Sequence, residues 1–558
     1  MRYAQTLRLM LWLLPMYDVA AIAQTLTPPK IQTVSQTGVS LLDTAFSYSH
    51  SDLAIGGLSV SRSYRSGPDT TGGLLGYDWT HNFDIRAVIF PSTSSYPRVE
   101  IVIGSTKNVF VGSGTGPFYA DNDAIGMKLV YSGHFIFTDR EGTVYEFTVG
   151  MTNPVISAIT YANGYRITVS NVSNKPKLIT DNKGYALVFD YGTYGMTAAC
   201  GYNLSQTYVT TSTTCAGAAL KVGYGYTTTA LGFPLLASFT DTTNHVTNMG
   251  YDADGWMNCL RLPDSSTCQV TNTYDTGHRG RVVKQVMGDG AIWQFACSCS
   301  WDGTDEAQAP EPDGTDVYDP RGGHTAYGFY GLGLTSIQDQ NNHTTNYSFI
   351  GALPEYIQPP EGNRVDFLYN AHQADAGHTF HPKTGSSAAP ITPDGKTFPN
   401  DPDCNNPITC NLPTTVTDGN GNVTSYSYDP VHGGVLTETK PAGSGGVSQV
   451  IRHHYAQRYA WVKNAGGSYV QGATPVWVET DERTCTSGAT SGETCTAGAA
   501  KEVVTSYDYG PDSGPNNLQL RGKVVTADGK SLRTCFQYDT LGNKIAETSP
   551  RAGLATCS

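Results

Sequence analysis

The sequence predicts an all-β protein, with many short antiparallel hairpins in series behind an N-terminal β domain. Three observations carry this expectation. Glycine (61 residues) and tyrosine (34) are abundant among the 558 residues, while Asp, Glu, Lys and Arg together make up only 15%. Turns want glycine and half-buried strands want aromatic rings, whereas helices draw on Ala, Leu, Glu and Lys. A turn of the form Asp-x-x-Gly recurs along the chain, and a Tyr-Asp pair repeatedly closes one strand and opens the next turn.

Taken from the N-terminus, residues 1–23 read as a secretory signal peptide. Arg2 and Arg8 supply positive charge, Leu9 to Leu14 a short apolar stretch, and Ala21-Ile22-Ala23 a small-residue cleavage pattern, so the mature chain would begin at Gln24. The alternative, a membrane anchor, needs roughly 20 apolar residues. This stretch is broken by Pro15 and Asp18, and no transmembrane span is expected after the signal is removed. Residues 24–36, rich in Pro, Gln and Thr, form a linker. Residues 37–155 are expected to form the N-terminal β domain and 156–558 the repeat array. The Pro/Gly-rich stretches 305–315 and 382–413 read as loops or insertions.

The turns have a physical signature. In Asp139-Arg140-Glu141-Gly142, Asp181-Asn182-Lys183-Gly184, Asp252-Ala253-Asp254-Gly255 and Asp539-Thr540-Leu541-Gly542, the aspartate can accept from backbone N–H groups two residues on. The glycine takes positive φ without steric cost. Asp418-Gly419-Asn420-Gly421 is a close variant. Strand-like sequence follows, as in Thr143 to Phe147, Tyr185 to Phe189 and Val423 to Tyr428. The strand-closing pairs are Tyr251-Asp252, Tyr274-Asp275, Tyr428-Asp429, Tyr507-Asp508 and Tyr538-Asp539. Their rings supply buried area that a short strand otherwise lacks.

Twelve cysteines in an exported chain read as disulfides. The close pairs are Cys200 with Cys215, Cys259 with Cys268, Cys404 with Cys410, Cys485 with Cys495, and Cys535 with Cys557. Cys297 and Cys299 stay open, because positions i and i+2 of a strand share a face and a bond between them would be strained. Zinc is disfavoured, since no Cys-x-x-Cys spacing occurs.

The units resemble the YD repeats of Rhs proteins, which are similar to repeats in insecticidal toxin-complex proteins and teneurins. The segments Ala45 to Leu53, Leu58 to Ser66 and Gly76-Tyr77-Asp78-Trp79-Thr80-His81-Asn82-Phe83 resemble the domain that precedes such repeats. His432 to Thr439 and Tyr455 to Trp461 also look like Rhs-family sequence. The resemblance covers most of residues 35–550 and implies a β-ribbon coiled into a shell, often around a toxic C-terminal domain. One hairpin cannot bury its face alone, and neighbours in series supply the missing contacts. The chain departs from the family in ending at Ser558, soon after a repeat, without the terminal Asp-Pro-x-Gly autoproteolysis region. Asp319-Pro320-Arg321-Gly322 has similar letters but reads as an ordinary turn. An open ribbon, a piece of a longer protein and one part of a multi-chain shell all fit.

No catalytic or cofactor motif is present. There is no His-Glu-x-x-His, no phosphate loop and no Gly-x-Ser-x-Gly. His372, Asp375, His378 and His381 are read as a solvated loop, and His453-His454 as strand residues pointing to opposite faces. A net charge of −13 with no basic run argues against nucleic acid. The expectation is an exported, non-enzymatic repeat shell or scaffold, secreted, periplasmic or on the cell surface. Its expected partners are a toxin polypeptide or further shell segments, with no cofactor and no catalytic residue. The alternative is a cell-surface carbohydrate-binding or adhesion module whose Tyr and Trp stack on glycans.

Overall fold

The computed structural model describes residues 33–67, 72–299, 312–399 and 405–557, apart from 92, 95, 105, 122, 123, 125, 278, 331, 332, 351, 352, 444, 487–489 and 497–500. The signal-peptide reading, most of the linker, and residues 305–311 of the first expected loop fall outside the described residues.

Among these residues there is no α-helix. One antiparallel sheet of 32 strands runs from Lys128–Tyr131 to Lys544–Glu547, and its order in space is its order in sequence. Each strand between these two ends therefore leans on the one before and the one after. Two small hairpins stand out of this ribbon: Trp461–Lys463 with Tyr469–Gln471, and Thr490–Ser491 with Thr494–Cys495. The ladder closes beneath them. Ser448–Arg458 pairs directly with Val476–Cys485, and the latter with Glu502–Tyr509. Pairing also crosses residues 155 and 156 without interruption, Val144–Phe147 lying beside Ile156–Thr160. The first three ribbon strands thus lie inside the stretch 37–155.

The turns make the ribbon regular. Asp139, Asp181, Asp252, Asp418 and Asp539 each accept, through Oδ1, from the backbone N–H groups two and four residues on. The closing glycines all sit at positive φ, from 79° at Gly421 to 93° at Gly255. Asp319 to Gly322 is the same turn, with Gly322 N–H donating to the Asp319 carbonyl at 3.0 Å. The stretch 382–413 is not all loop, since Ile391–Thr397 is a ribbon strand paired with Asp375–His381. Its alternation is too polar to have been read as a strand.

Two smaller sheets precede the ribbon. Ser47–Ile55, Leu58–Arg65 and Trp79–His81 form one. Ile85–Phe90, Arg98–Ile103, Thr106–Val111 and Tyr119–Ala120 form the other. They pack on one face of the ribbon in a single core that extends from Val39 to Leu334. Strand Tyr185–Tyr191 shows the layering, with five successive residues buried. Phe189 meets His81 and Phe83 on one face, while Val188 packs on the opposite face against the Cys200–Cys215 bridge. Each large side chain so buried stabilises by about 1.5–3 kcal/mol. Trp79, fully buried between Tyr48 and Tyr64, is the largest of them.

The ribbon coils back on itself. Asn182 donates to the Pro475 carbonyl, Asn203 to Asn516 and to the Thr540 carbonyl, and Gln519 to the Tyr185 hydroxyl. Asn411 likewise donates to the Arg140 carbonyl. Turns separated by about 300 residues therefore share a polar seam.

Candidate functional site

Among the described residues, seven strands carry the same local device at or near their ends. Tyr226, Tyr251, Tyr274, Tyr369, Tyr428, Tyr509 and Tyr538 each sit at a β-bulge in the pairing with the next strand. Each hydroxyl donates back to a main-chain carbonyl at or beside the preceding ribbon strand: Met196, Leu236, Met257, Pro354, Pro413, Glu479 and Leu520 in turn, at 2.5–3.0 Å. A bulge bends the strand and re-aims its side chain. Here it turns the ring along the ribbon, so that one tyrosine ties three neighbouring strands together.

The sequence-derived residues fall as follows. Tyr251, Tyr274, Tyr428 and Tyr538 occupy this position, and Asp252, Asp429 and Asp539 open the following turns. Asp275 does the same with longer bonds, accepting from Arg279 and Arg281 at 3.3 Å. Gly255 and Gly542 close their turns at φ 93° and 91°. Tyr507-Asp508 is a correction. Both residues lie within the strand Glu502–Tyr509, Asp508 opposite Gly522 and ion-paired with Arg533. The bulge falls one residue after Asp508, so Tyr509 takes the motif position. Tyr226 and Tyr369 went unread because no aspartate follows them. Asn370 performs the aspartate's task, accepting from His372 and Ala374 N–H, and a Tyr-Asn pair is the signal that would have found it.

Among the described residues, four bridges form between close pairs: Cys200–Cys215, Cys259–Cys268, Cys485–Cys495 and Cys535–Cys557. Cys297 and Cys410 are also disulfide-bonded. Cys404 lies outside the described residues. Three of the four histidine-segment positions are not in a loop. Asp375, His378 and His381 lie on one strand, and each has its own partner: Lys396 for Asp375, Asp394 for His378, Asp366 for His381. His372 sits in the preceding turn. They do not converge.

The tyrosine-bearing face changes character along the ribbon. In the first half it is covered. Trp79 Nε1 donates to the Tyr251 hydroxyl, the Tyr224 hydroxyl donates to Asp52, and the Tyr64 hydroxyl accepts from Met257 N–H. The Arg62–Asp52 ion pair is enclosed there as well. The cover thins near a cavity of about 500 Å³, where Val34 and Leu41 face Trp293, Val317, Tyr327 and Tyr347. Beyond it Tyr369, Tyr426, Tyr428, Tyr455, Tyr507 and Tyr509 are only half-buried, and Tyr455 meets the ring of His432 from the preceding turn.

A polar cluster lies on this open face. Register places Tyr426 beside Glu438, Glu438 beside Ile451, and His453 beside Glu482. Glu479 stands opposite Tyr455. Three residues apart on a regular strand, Glu479 and Glu482 would face opposite ways. The bulge between His454 and Tyr455 takes up Thr480 and returns both to one face. One ligand atom from each of His453, Glu479 and Glu482 lies within 4.8 Å of the others. His453 Nδ1 and Glu479 Oε1 are 2.6 Å apart. That bond, with Glu479, Glu482 and Glu438 nearby, raises the His453 imidazole above its ordinary value. Burial, followed by the charges of Glu479 and Glu482, pushes the Tyr507 phenol up to about 12. His454 points to the opposite face, where it meets Asp481 and Glu493.

Comparison with known proteins adds the following. Residues 39–95 match a family model described as Domain of unknown function (DUF6531). These residues contain the N-terminal segments that carry the Rhs resemblance. No curated protein matches the chain. Solved structures similar to it include TcdB2-TccC3-Cdc42, at 12% identity and TM-score 0.28 over 86% of this chain and 27% of that one. TcdB2-TccC3 without its hypervariable C-terminal region is 11% identical, with TM-score 0.29, 87% of this chain and 27% of that chain. The Photorhabdus luminescens Tc holotoxin pore with the TccC3-D651A mutation is 12% identical, with TM-score 0.31, 88% and 26%. The chain spans about a quarter of the length of these structures' chains.

Proposed function

We propose that the chain is an exported, non-enzymatic segment of an Rhs-type shell, and that the open tyrosine face lines a space for another polypeptide. One observation carries this reading. A single serial ribbon has the same face filled by its own N-terminal strands in the first half, whereas among the described residues the tyrosines of the second half are only half-buried. Half-buried tyrosines with polar neighbours suit a wall that must hold a non-native chain without binding it tightly: the rings offer area, and the hydroxyls of Tyr369, Tyr428 and Tyr509 are already satisfied by main-chain carbonyls. Bridges within short loops support service in an oxidising compartment. On this reading residues 37–155 supply the plug and the start of the ribbon, and 156–558 the wall. The partner is a polypeptide cargo or further shell segments.

The test is protease protection. A destabilised reporter polypeptide is fused after Ser558 and digested alongside the same reporter free in solution. Protection of the fused reporter, lost when Tyr455 and Tyr507 are both changed to Asp, is the expected result. Digestion at the rate of the free reporter would refute enclosure.

A further inference from the structure

We propose that His453, Glu479 and Glu482 form a binding site for one divalent first-row transition cation, of the zinc type, on the open face of the ribbon. Three facts meet here. The donor set is one imidazole nitrogen and two carboxylates with ligand atoms within 4.8 Å of one another; imidazole with carboxylate suits zinc and its neighbours, whereas calcium and magnesium take oxygen alone. The residues come from two paired strands, and the bulge at Thr480 is what brings the second carboxylate round to the histidine. Finally, the Glu482 carboxylate has no hydrogen bond or ion pair among the described residues. The carboxylates on the opposite face, Asp481 and Glu502, are by contrast matched by Arg483 and Arg452. Two lysines of neighbouring strands are otherwise engaged, Lys440 with Glu438 and Lys523 over the Tyr507 ring.

The cation would replace the proton shared between His453 Nδ1 and Glu479, so binding releases that proton and leaves the imidazole neutral as a ligand. Three protein ligands leave a fourth position open toward the half-buried Tyr507. The site lies where the ladder closes beneath the hairpin of Trp461–Lys463 and Tyr469–Gln471. A bound cation would staple Ser448–Arg458 to Val476–Cys485 at the point where the ribbon skips a segment of its own chain.

The experiment uses the full chain, stripped with EDTA and exchanged into chelator-free buffer. Zinc chloride is titrated by calorimetry and thermal melting, and cobalt chloride by visible absorption. The wild type should take up one zinc ion per chain with a rise in Tm, and should give cobalt d–d bands of a low-coordinate site. Glu482→Gln should bind zinc at least about tenfold more weakly, with an unchanged melt in EDTA because its carboxylate has no partner to lose. His453→Gln should abolish the cobalt bands. Equal zinc affinity in wild type and Glu482→Gln would overturn the assignment, as would wild type without cobalt bands. Should Glu482→Gln melt differently in EDTA, the cobalt spectrum of the wild type decides alone.

Discussion

The tyrosine hydroxyl is the smallest unit on which the ribbon depends, and its worth varies with what surrounds it. Tyr251 donates to the Leu236 carbonyl at 2.5 Å and accepts from Trp79 Nε1 at 2.9 Å, packed against the core. Tyr428 makes only the bond to Pro413, at a half-exposed position. Removing a buried hydroxyl leaves its partners desolvated and unmade, which costs more than the bond itself was worth. Tyr251→Phe should therefore destabilise by about 2–4 kcal/mol and Tyr428→Phe by about 1 kcal/mol, read from urea denaturation; equal losses would deny the covered and open halves their difference. Asp78 offers a second residue-scale test. It sits at φ 63° with its carboxyl raised by burial to about 8, Arg65 offsetting only part of that. The native state thus holds a proton that the unfolded chain gives up above about pH 4, so stability falls as pH rises from about 4 to 8. Asp78→Asn cannot titrate and tolerates the left-handed conformation. Its advantage over wild type should grow by about 1–2 kcal/mol between pH 5 and pH 8, once partial exposure is allowed for. Melting curves at the two pH values check this, and a constant difference would contradict it.

At the scale of the element, a turn and the strand it launches were legible because their requirements are local. Asp181 to Gly184 and Asp418 to Gly421 need only the right residues at fixed offsets, and the close cysteine pairs needed only proximity along the chain. What was not legible depends on register. Tyr507-Asp508-Tyr509 contains two candidate tyrosines, and pairing with Leu520–Ala527 alone puts the bulge at the second. The convergence of Glu479 with Glu482 is hidden in the same way, since a spacing of three reads as opposite faces until the bulge at Thr480 is known. Turns that look identical in sequence also differ in surroundings. Gly421 and Gly542 share their conformation, but a Cβ at Gly421 meets nothing within 4 Å, while one at Gly542 meets the Tyr185 hydroxyl. Gly421→Ala should cost about 1 kcal/mol from backbone strain alone. Gly542→Ala should cost at least about twice that and disturb the seam, visible as faster amide exchange at residues 516–519. Equal costs would mean that the Gly542 turn does not rest on Tyr185.

The whole molecule is a strip held side to side by its ladder and coil to coil by a polar seam. The ladder is strong because every strand but the first and the last has two neighbours. The seam, made of Asn182, Asn203, Asn516 and Gln519 bonded to one another, to the Tyr185 hydroxyl and to the Pro475 and Thr540 carbonyls, fixes the curvature, and with it whether the open tyrosine face encloses a space. The measurement that bears most directly on this is photocrosslinking from Tyr185, replaced in the full chain by p-benzoylphenylalanine. Its hydroxyl lies 3.1 Å from Gln519 Nε2, so adducts should map to residues 516–519 and 540–542, more than 300 residues away in the chain. Adducts confined to the adjoining strands between 165 and 205 would mean that the ribbon does not coil back upon itself and that there is no enclosed wall.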